Sequence, residues 1–308
     1  MTVELEDLLR SCGDHVAAEL RCMPEVVDVN DFDPTVDPPP IEARRWLRVT
    51  DAVALVADLK SSTKLGLNKY AQSTASIYEA ALRPVVDICV EFGAGWVEVR
   101  GDCVVAIFWS ERAVERAMCA GITIKTFSED HLVDRLQRKW PDSLPDTGFK
   151  VGLSTSTVLV KRVGRPRSQF QGLVWPGRAV NHAAKAAQVA DAHELVVTGS
   201  IWDEVSENDY LTFSCDCDTP SPGIWRDIDI DKLDHDDADR SGRCLTTKWC
   251  VTCGEGFCNA VLDGLSYRES VDGVRSTLQL SLFRSALAKK HASQRSNRRH
   301  LVTARTGR

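Results

Sequence analysis

The sequence lacks any apolar run long enough to cross a membrane. A membrane-spanning helix needs about 20 consecutive apolar residues, and the most apolar stretches, 51–57 and 103–109, are far shorter. The first seven residues are rich in acid, whereas a secretory signal begins with basic residues and continues with apolar ones. These two absences predict a cytoplasmic protein without a membrane partner.

The sequence also lacks the cysteine pattern of a disulfide scaffold. Its cysteines number eleven, and Cys89, Cys103 and Cys119 stand singly at apolar positions, where a reduced thiol behaves as a small core residue. A hydrophobic content of 43% and a charged content of 27% are those of an ordinary globular protein. The net charge of −6 argues against a nucleic-acid partner, because basic side chains supply most of that affinity.

Changes in composition divide the chain into four parts. An amphipathic helix over 4–22 and a proline-rich linker make up residues 1–45, and the main domain occupies 46–215. An acidic segment and a small Cys-containing C-terminal module occupy 216–283, and residues 284–308 form a basic tail. Since the tail lacks the aromatic residues that stack on bases, we expect it to be solvated rather than bound to nucleic acid or anionic lipid.

The main domain has the pattern of an α+β fold. Its predicted elements are a strand at 52–57, an amphipathic helix that ends before Gly93, a hairpin of strands at 96–100 and 103–109, a helix at 111–127, a strand pair over 149–163, a helix at 176–190 and a strand at 194–198. The stretch between 127 and 149 is expected to be irregular. This order predicts an antiparallel sheet with helices packed on one face.

Two aspartates follow apolar strands. Asp58 comes directly after the run 52–57, and Asp102 lies in the turn of the predicted hairpin. A lone aspartate at such a position usually caps a turn, but two on neighbouring strands would bring their carboxylates together. A hard divalent cation such as Mg²⁺ or Mn²⁺ is the usual means of keeping such a pair ionised.

Hydroxyl side chains follow the first aspartate. Ser61, Ser62 and Thr63 would place hydroxyl and backbone N–H groups at the start of a helix, where the helix dipole favours an anion such as a triphosphate. Helix capping is the equally weighted alternative.

Four blocks in chain order resemble the signature blocks of class III adenylate/guanylate cyclases. They are ADLKSST at 57–63, GDCVVAIF at 101–108, KVGLST at 150–155 and GRAVNHAAK at 177–185. The resemblance spans residues 50 to about 200, and it is more specific than any single block.

The resemblance implies a ferredoxin-like domain that acts as a head-to-tail homodimer on a nucleoside triphosphate. Two divalent metal ions would be held by Asp58, Asp102 and the Leu59 carbonyl, Asn181 would orient the ribose, and Lys185 would offer a cation to the α-phosphate. The family usually has arginine at position 185, and lysine keeps the charge but loses the bidentate fork.

The positions that select the base differ from those of adenylate cyclases. Where those enzymes have lysine and aspartate, this chain has Glu98 and Val174, and guanylate cyclases have a glutamate at the first position. A glutamate accepts from the ring N–H that guanine and uracil share. Trp96 and Arg100 lie on the same strand face as Glu98 and would leave room for a single ring, which favours a pyrimidine. Packing of Trp96 and a surface ion pair of Arg100 are the alternative.

A cyclase domain followed by a Cys-containing module resembles the bacterial pyrimidine cyclases of Pycsar anti-phage defence. That resemblance implies conversion of UTP to 3′,5′-cyclic UMP as a second messenger in antiviral defence, with an effector that senses only the cyclic nucleotide. A guanylate cyclase and a catalytically silent nucleotide-binding homologue are the alternatives.

The C-terminal cysteines have partial metal-ligand spacing. Cys250 and Cys253 can face one Zn²⁺, and Cys244 and Cys258 are candidates to complete a tetrahedral site. A further short-spaced pair, Cys215 and Cys217, lies upstream. Reduced cysteines in a small packed module are the alternative.

Overall fold

A computed structural model of the chain describes residues 3–30, 32–34, 36, 38–39, 41, 44–217 and 219–277. The tail predicted at 284–308 lies outside the described residues. The helices and strands, in chain order, are α1 (Leu5–Arg21), β1 (Glu25–Asp28), β2 (Arg45–Leu59), α2 (Ser62–Leu65), α3 (Ala71–Glu91), β3 (Trp96–Arg100), β4 (Cys103–Phe108), α4 (Ala113–Phe127), α5 (Asp134–Lys139), β5 (Phe149–Gly164), β6 (Gln171–Val174), α6 (Arg178–Val189), β7 (Glu194–Val197), α7 (Gly199–Val205), α8 (Asp209–Thr212), β8 (Trp225–Asp229), β9 (Ser241–Leu245) and α9 (Val251–Leu262). In this part of the chain no helix is long and apolar enough to cross a membrane.

The two longest strands form the centre of one sheet. β2 pairs antiparallel with β4 on one side and with β5 on the other. The apolar run 52–57 is buried almost throughout, as a strand covered on both faces should be. The strand order is β3-β4-β2-β5-β7-β9-β8, with β1 added beside β2 and β6 beside β5.

The predicted α+β plan is confirmed, but the sheet is mixed rather than antiparallel. β7 runs parallel to β5, and β1 runs parallel to β2. α6 carries the chain back between β5 and β7, and a helical crossover of this kind is what a parallel pair requires.

Helices cover both faces of the sheet, so the expectation of a single covered face is wrong. Leu55 and Ala57 of β2 pack in a core with residues of α3 and α4. Ala54 and Val56, which point the other way, pack with Ala183 of α6. The alternation of side chains along a strand separates these two cores.

Two predictions for residues 128–163 differ from the structure. The strand pair expected over 149–163 is one continuous strand, β5. Within the stretch expected to be irregular, 128–139 is helical, because a π-helical turn, Ser128–Val133, joins α4 to α5, whereas 140–148 is irregular as predicted. Leu132 and Leu136 are buried and extend the apolar face of α4.

The sheet continues into the C-terminal part of the chain. β9 pairs with β7, and β8 pairs with β9 at the sheet edge. α9 then returns to the main core, which it enters through Phe257 and Val261. The domain boundary at residue 216 stays a prediction. Backbone hydrogen bonds join β7, which precedes this residue, to β9, which follows it.

Candidate active site

The two predicted aspartates lie at one end of the central strands. Asp58 is opposite Cys103 of β4, and the Leu59 N–H donates to the Asp102 carbonyl oxygen at 3.2 Å, which ties the hairpin turn to the end of β2. Burial, together with the nearby Asp58 and Asp102 carboxylates, raises the pKa of the Cys103 thiol to about 12. Both carboxylates therefore flank this one thiol.

Each aspartate has a partner that the sequence reasoning missed or assigned otherwise. The Lys150 ammonium lies 2.7 Å from Asp58 Oδ2, across the β2–β5 pairing. The Ser62 hydroxyl donates to Asp102 Oδ2. The position of Lys150 directly opposite Asp58 follows from strand register, which the local sequence does not reveal.

The donors at this end of the sheet fit a hard divalent cation. Asp58 and Asp102 offer carboxylate oxygens, and Leu59 offers a backbone carbonyl. Oxygen ligands of this kind suit Mg²⁺ or Mn²⁺. A cation at Asp58 would have to share that carboxylate with the Lys150 ammonium.

The hydroxyl segment 61–63 begins a much shorter helix than expected. α2 is a single turn, and the long amphipathic helix α3 begins only at Ala71. Ser61 has a left-handed backbone, with φ of 58°, and its side chain makes no capping hydrogen bond. The dipole of one turn adds little, so an anion here would depend mainly on the backbone N–H and hydroxyl groups of Ser61, Ser62 and Thr63.

Asn181 and Lys185 are carried by α6, one turn apart on the same helix face. The Ser156 hydroxyl of β5 accepts a hydrogen bond from the Ala179 N–H at 2.8 Å. It thereby pairs one of the backbone N–H groups that have no partner within the first turn of this helix. A Cβ atom at Gly152 of β5 would lie 2.1 Å from the Ala183 carbonyl oxygen. The helix thus rests directly on the backbone of β5.

A buried histidine fixes α6 from its other side. His182 Nδ1 lies 2.8 Å from Asp239 Oδ2, and Asp239 Oδ1 accepts from the Ser200 N–H at 3.0 Å. Burial opposes ionisation of Asp239, but the hydrogen bonds from Ser200 and His182 hold its pKa below the usual value. His182, Asp237 and Asp239 could also hold a cation, since their ligand atoms lie within 4.8 Å of one another.

A pocket of about 390 Å³ joins most of the predicted base-selecting residues to Asn181. None of the three metal-ligand candidates, Asp58, Leu59 and Asp102, lines it. Its walls are formed by Trp46, Trp96, Arg100, Val105, Val174, Trp175, Pro176, Val180 and Asn181.

Trp175 is a pocket residue that the sequence reasoning missed. Its ring packs against Trp96 with centroids 5.4 Å apart, so Trp96 both packs and lines the pocket. The Trp175 Nε1 donor is buried and has no acceptor among the described residues.

Glu98 and Arg100 form an ion pair beside this pocket. The Arg100 Nε and Nη2 atoms lie 2.9 and 2.8 Å from the same carboxylate oxygen, Glu98 Oε2. The surface ion pair considered as an alternative for Arg100 is therefore present, and Arg100 lines the pocket as well. Because both Arg100 nitrogens contact Oε2, they fix the orientation of the Glu98 carboxylate.

The cysteine set proposed for zinc needs correction. Cys244 lies inside β9, where burial raises the pKa of its thiol to about 12. Cys258 contacts the Cys119 thiol of α4 rather than the other cysteines of α9. The sulfur atoms of Cys215 and Cys217 lie beside those of Cys250 and Cys253, at the positions that were predicted for Cys244 and Cys258.

The chain is similar to known uridylate cyclases over nearly its whole length. No protein-family model matches the chain. The uridylate cyclase of Micromonospora echinofusca is 52% identical over 296 residues, with 96% of both chains covered. The uridylate cyclase of Propioniciclava tarda is 42% identical over 289 residues, with 93% of both chains covered.

Two solved structures share the fold at low identity. The adenylyl cyclase CyaB from P. aeruginosa has a TM-score of 0.52 at 15% identity, with 66% of this chain and 96% of that chain covered. The guanylate cyclase domain of RhGC from Catenaria anguillulae in complex with GTP has a TM-score of 0.50 at 11% identity, with 65% and 98% covered.

Proposed function

We propose that this chain, which belongs to the uridylate cyclase family, converts UTP to 3′,5′-cyclic UMP and pyrophosphate. Family membership follows from sequence identities of 52% and 42% to two uridylate cyclases over nearly the whole chain. The fold is that of class III cyclases. The observation that carries the substrate assignment is the pocket in which Trp96, Arg100 and Val174 lie beside Asn181.

The base would be selected by Glu98 and its surroundings. An ionised glutamate only accepts hydrogen bonds, so it suits the ring N–H of uracil or guanine and not the unprotonated ring nitrogen of adenine or cytosine. The Arg100 pair holds the carboxylate in place. Val174 offers no acceptor for an exocyclic amino group, and the Trp96 and Trp175 rings narrow the pocket.

The active site would be shared between two protomers of a homodimer. Asp58 and Asp102 do not line the pocket that contains Asn181, which supports a division of the site into two halves. One protomer would supply the aspartates, and its partner would supply Asn181, Lys185 and the base pocket.

Two divalent cations, held by Asp58, Asp102 and the Leu59 carbonyl, would neutralise the triphosphate and lower the pKa of the attacking 3′-hydroxyl. Ser62 orients Asp102 through its hydrogen bond. Asn181 would orient the ribose, and Lys185 would meet the charge that develops on the α-phosphate oxygens. Ser61 and Thr63 would contact the triphosphate through backbone N–H and hydroxyl groups, and Ser62 would do so through its backbone N–H, because its hydroxyl proton is donated to Asp102.

The product would serve as a second messenger in bacterial antiviral defence, sensed by a separate effector. The pairing of a cyclase domain with a Cys-containing C-terminal region supports this role. Cells that carry the gene with its native neighbours should restrict phage better than cells with the Asp102→Ala variant. Equal phage yields from the two strains would contradict the role.

The activity is tested with purified protein, UTP and Mn²⁺, with products identified by mass. Cyclic UMP and pyrophosphate should form in equal amounts, and Asp102→Asn should abolish both. Asp142→Asn, at an exposed aspartate in the loop after α5, is the matched control and should keep the activity. Folded wild-type dimer that leaves UTP unchanged would refute the proposal, and cyclic GMP as the main product from GTP would favour the guanylate alternative.

A further inference from the structure

Two short cysteine motifs that lie far apart in the sequence meet in the structure. Cys215 and Cys217 follow α8 in a C-x-C motif, and Cys250 and Cys253 form a C-x-x-C motif at the start of α9. The intervening residues include β8 and β9, whose pairing returns the chain to the same place. The meeting is therefore a product of the sheet and not of local spacing.

Five of the six sulfur–sulfur pairs are close enough for one tetrahedral thiolate site. Cys217 Sγ lies 3.4 Å from Cys250 Sγ and 3.5 Å from Cys253 Sγ. The ligand atoms of Cys215, Cys250 and Cys253 all lie within 4.8 Å of one another. Four sulfurs around one Zn²⁺, each at about 2.3 Å from the metal, are about 3.8 Å apart.

Backbone donors around these sulfurs favour the thiolate form. The Cys250 N–H donates to Cys215 Sγ at 3.4 Å, and the Cys253 N–H donates to Cys250 Sγ at 3.3 Å. Cys250 is also the N-cap of α9, where the helix dipole favours a negative charge.

The loop that carries the C-x-C motif is held in place from its other side. The buried Arg268 guanidinium donates to the Ser214 carbonyl oxygen at 3.1 Å and to the Asp216 carboxylate. Arg268 also lies over the Phe257 ring of α9, 4.3 Å from its centroid. The same contacts thus position both halves of the cysteine cluster.

We propose that four cysteines form a structural zinc site that joins the loop after α8 to the start of α9: Cys215, Cys217, Cys250 and Cys253. Four cysteine ligands complete the tetrahedral coordination of the zinc ion. No position is left for water or substrate, so the role of the site is structural and not catalytic. Zinc links segments that are separated by β8 and β9, and α9 packs into the main core through Phe257. Metal loss should therefore loosen the C-terminal part of the fold.

Zinc content of the full-length protein, purified without chelator, tests the site directly. Mass spectrometry of the metal should give about one zinc per chain. The double variant Cys250→Ser/Cys253→Ser should lose it, whereas Cys244→Ser and Cys258→Ser, the matched controls, should keep it. Zinc that remains bound in the double variant, or that is lost only in the controls, would overturn the ligand set.

Two measurements on the wild type avoid the risk that a variant fails to fold. Co²⁺ exchanged into the protein should give the strong thiolate charge-transfer and visible bands of a tetrahedral sulfur site. Removal of zinc by a chelator should expose four additional fast-reacting thiols and lower the melting temperature. Reduced, folded protein that binds neither metal, or a Cys217–Cys250 disulfide in freshly purified protein, would overturn the proposal. None of these readouts depends on cyclase activity.

Discussion

Replacement of Gly152 by alanine should impair catalysis from a distance by displacing α6. A Cβ atom there would lie 2.1 Å from the Ala183 carbonyl oxygen and 2.4 Å from the Ala187 N atom, and both are helix backbone. Since real Cβ atoms essentially never approach closer than 3.0 Å, the helix must move away from β5 by about 1 Å. Asn181 and Lys185 move with it.

The main expected effect of Gly152→Ala is a lower kcat. Misplacement of reacting groups by about 1 Å costs on the order of 10²-fold in rate, and overpacking of this kind costs about 1–3 kcal/mol of stability. Steady-state kinetics with UTP should therefore show kcat reduced about 100-fold, and thermal unfolding should show a lower but still cooperative melting transition.

Gly172→Ala is the matched control, because nothing lies within 4 Å of a Cβ atom at that position. It should leave both kcat and the melting temperature unchanged. If Gly152→Ala is folded and turns over UTP within about threefold of the wild type, α6 does not position the catalytic residues in the way described, since threefold is well under 1 kcal/mol.

Three further predictions concern the assigned residues. Asp58→Ala and Asp102→Ala should each reduce cyclic UMP formation by far more than the tenfold that 1.4 kcal/mol represents, while circular dichroism stays that of the wild type. A mixture of Asp58→Ala and Asn181→Ala chains should regain activity by forming one intact site per heterodimer, whereas a mixture of Asp58→Ala and Asp102→Ala chains should not. Glu98→Gln keeps the shape but adds an amide donor, so UTP turnover should fall on the order of 10²-fold while CTP turnover falls less or rises.

Each of these has a contradicting result. Residual activity above about a tenth in either aspartate variant would exclude the metal assignment. Absence of complementation, once subunit exchange is demonstrated, would mean that each chain contains a complete site. Equal losses with UTP and CTP in Glu98→Gln would show that this carboxylate does not contact the base.

The central strand and its helices could be predicted because their residues carry a strong local signal. The run 52–57 is apolar on both faces, and it ends at a charged residue, Asp58, so both the strand and its end were predictable. α3 was predictable from Ile77, Ala81 and Val85, which recur at helical spacing and are all buried.

β5 was misjudged because its polar residues resemble a break between two strands. Thr155 donates to the Ala52 carbonyl oxygen at 3.2 Å, and Ser156 accepts from the first turn of α6. Ser154 accepts from the Thr198 hydroxyl at 3.2 Å. These side chains are polar because they join β5 to its neighbours, which is information that local spacing does not contain.

Two of the candidate zinc ligands, Cys244 and Cys258, were misplaced for a related reason. Cys244 is close to Cys250 in sequence, but the pairing of β9 with β7 buries it. Cys258 shares α9 with Cys253, but five residues correspond to about 140° around a helix, so it faces α4 instead. Cys215 and Cys217 become neighbours only after β8 and β9 have paired.

The most direct test of the central claim is a competition experiment. Equal concentrations of UTP, CTP, GTP and ATP are mixed with the wild-type enzyme and Mn²⁺, and the initial ratio of cyclic products gives the ratio of kcat/KM values. A site built to hydrogen-bond the uracil edge should favour cyclic UMP over cyclic CMP and cyclic AMP by about 10²–10⁴-fold, and the single-ring pocket should also favour it over cyclic GMP. Predominance of cyclic GMP would contradict the single-ring pocket of Trp96 and Arg100, and predominance of cyclic AMP would contradict base selection by Glu98 and Val174 altogether.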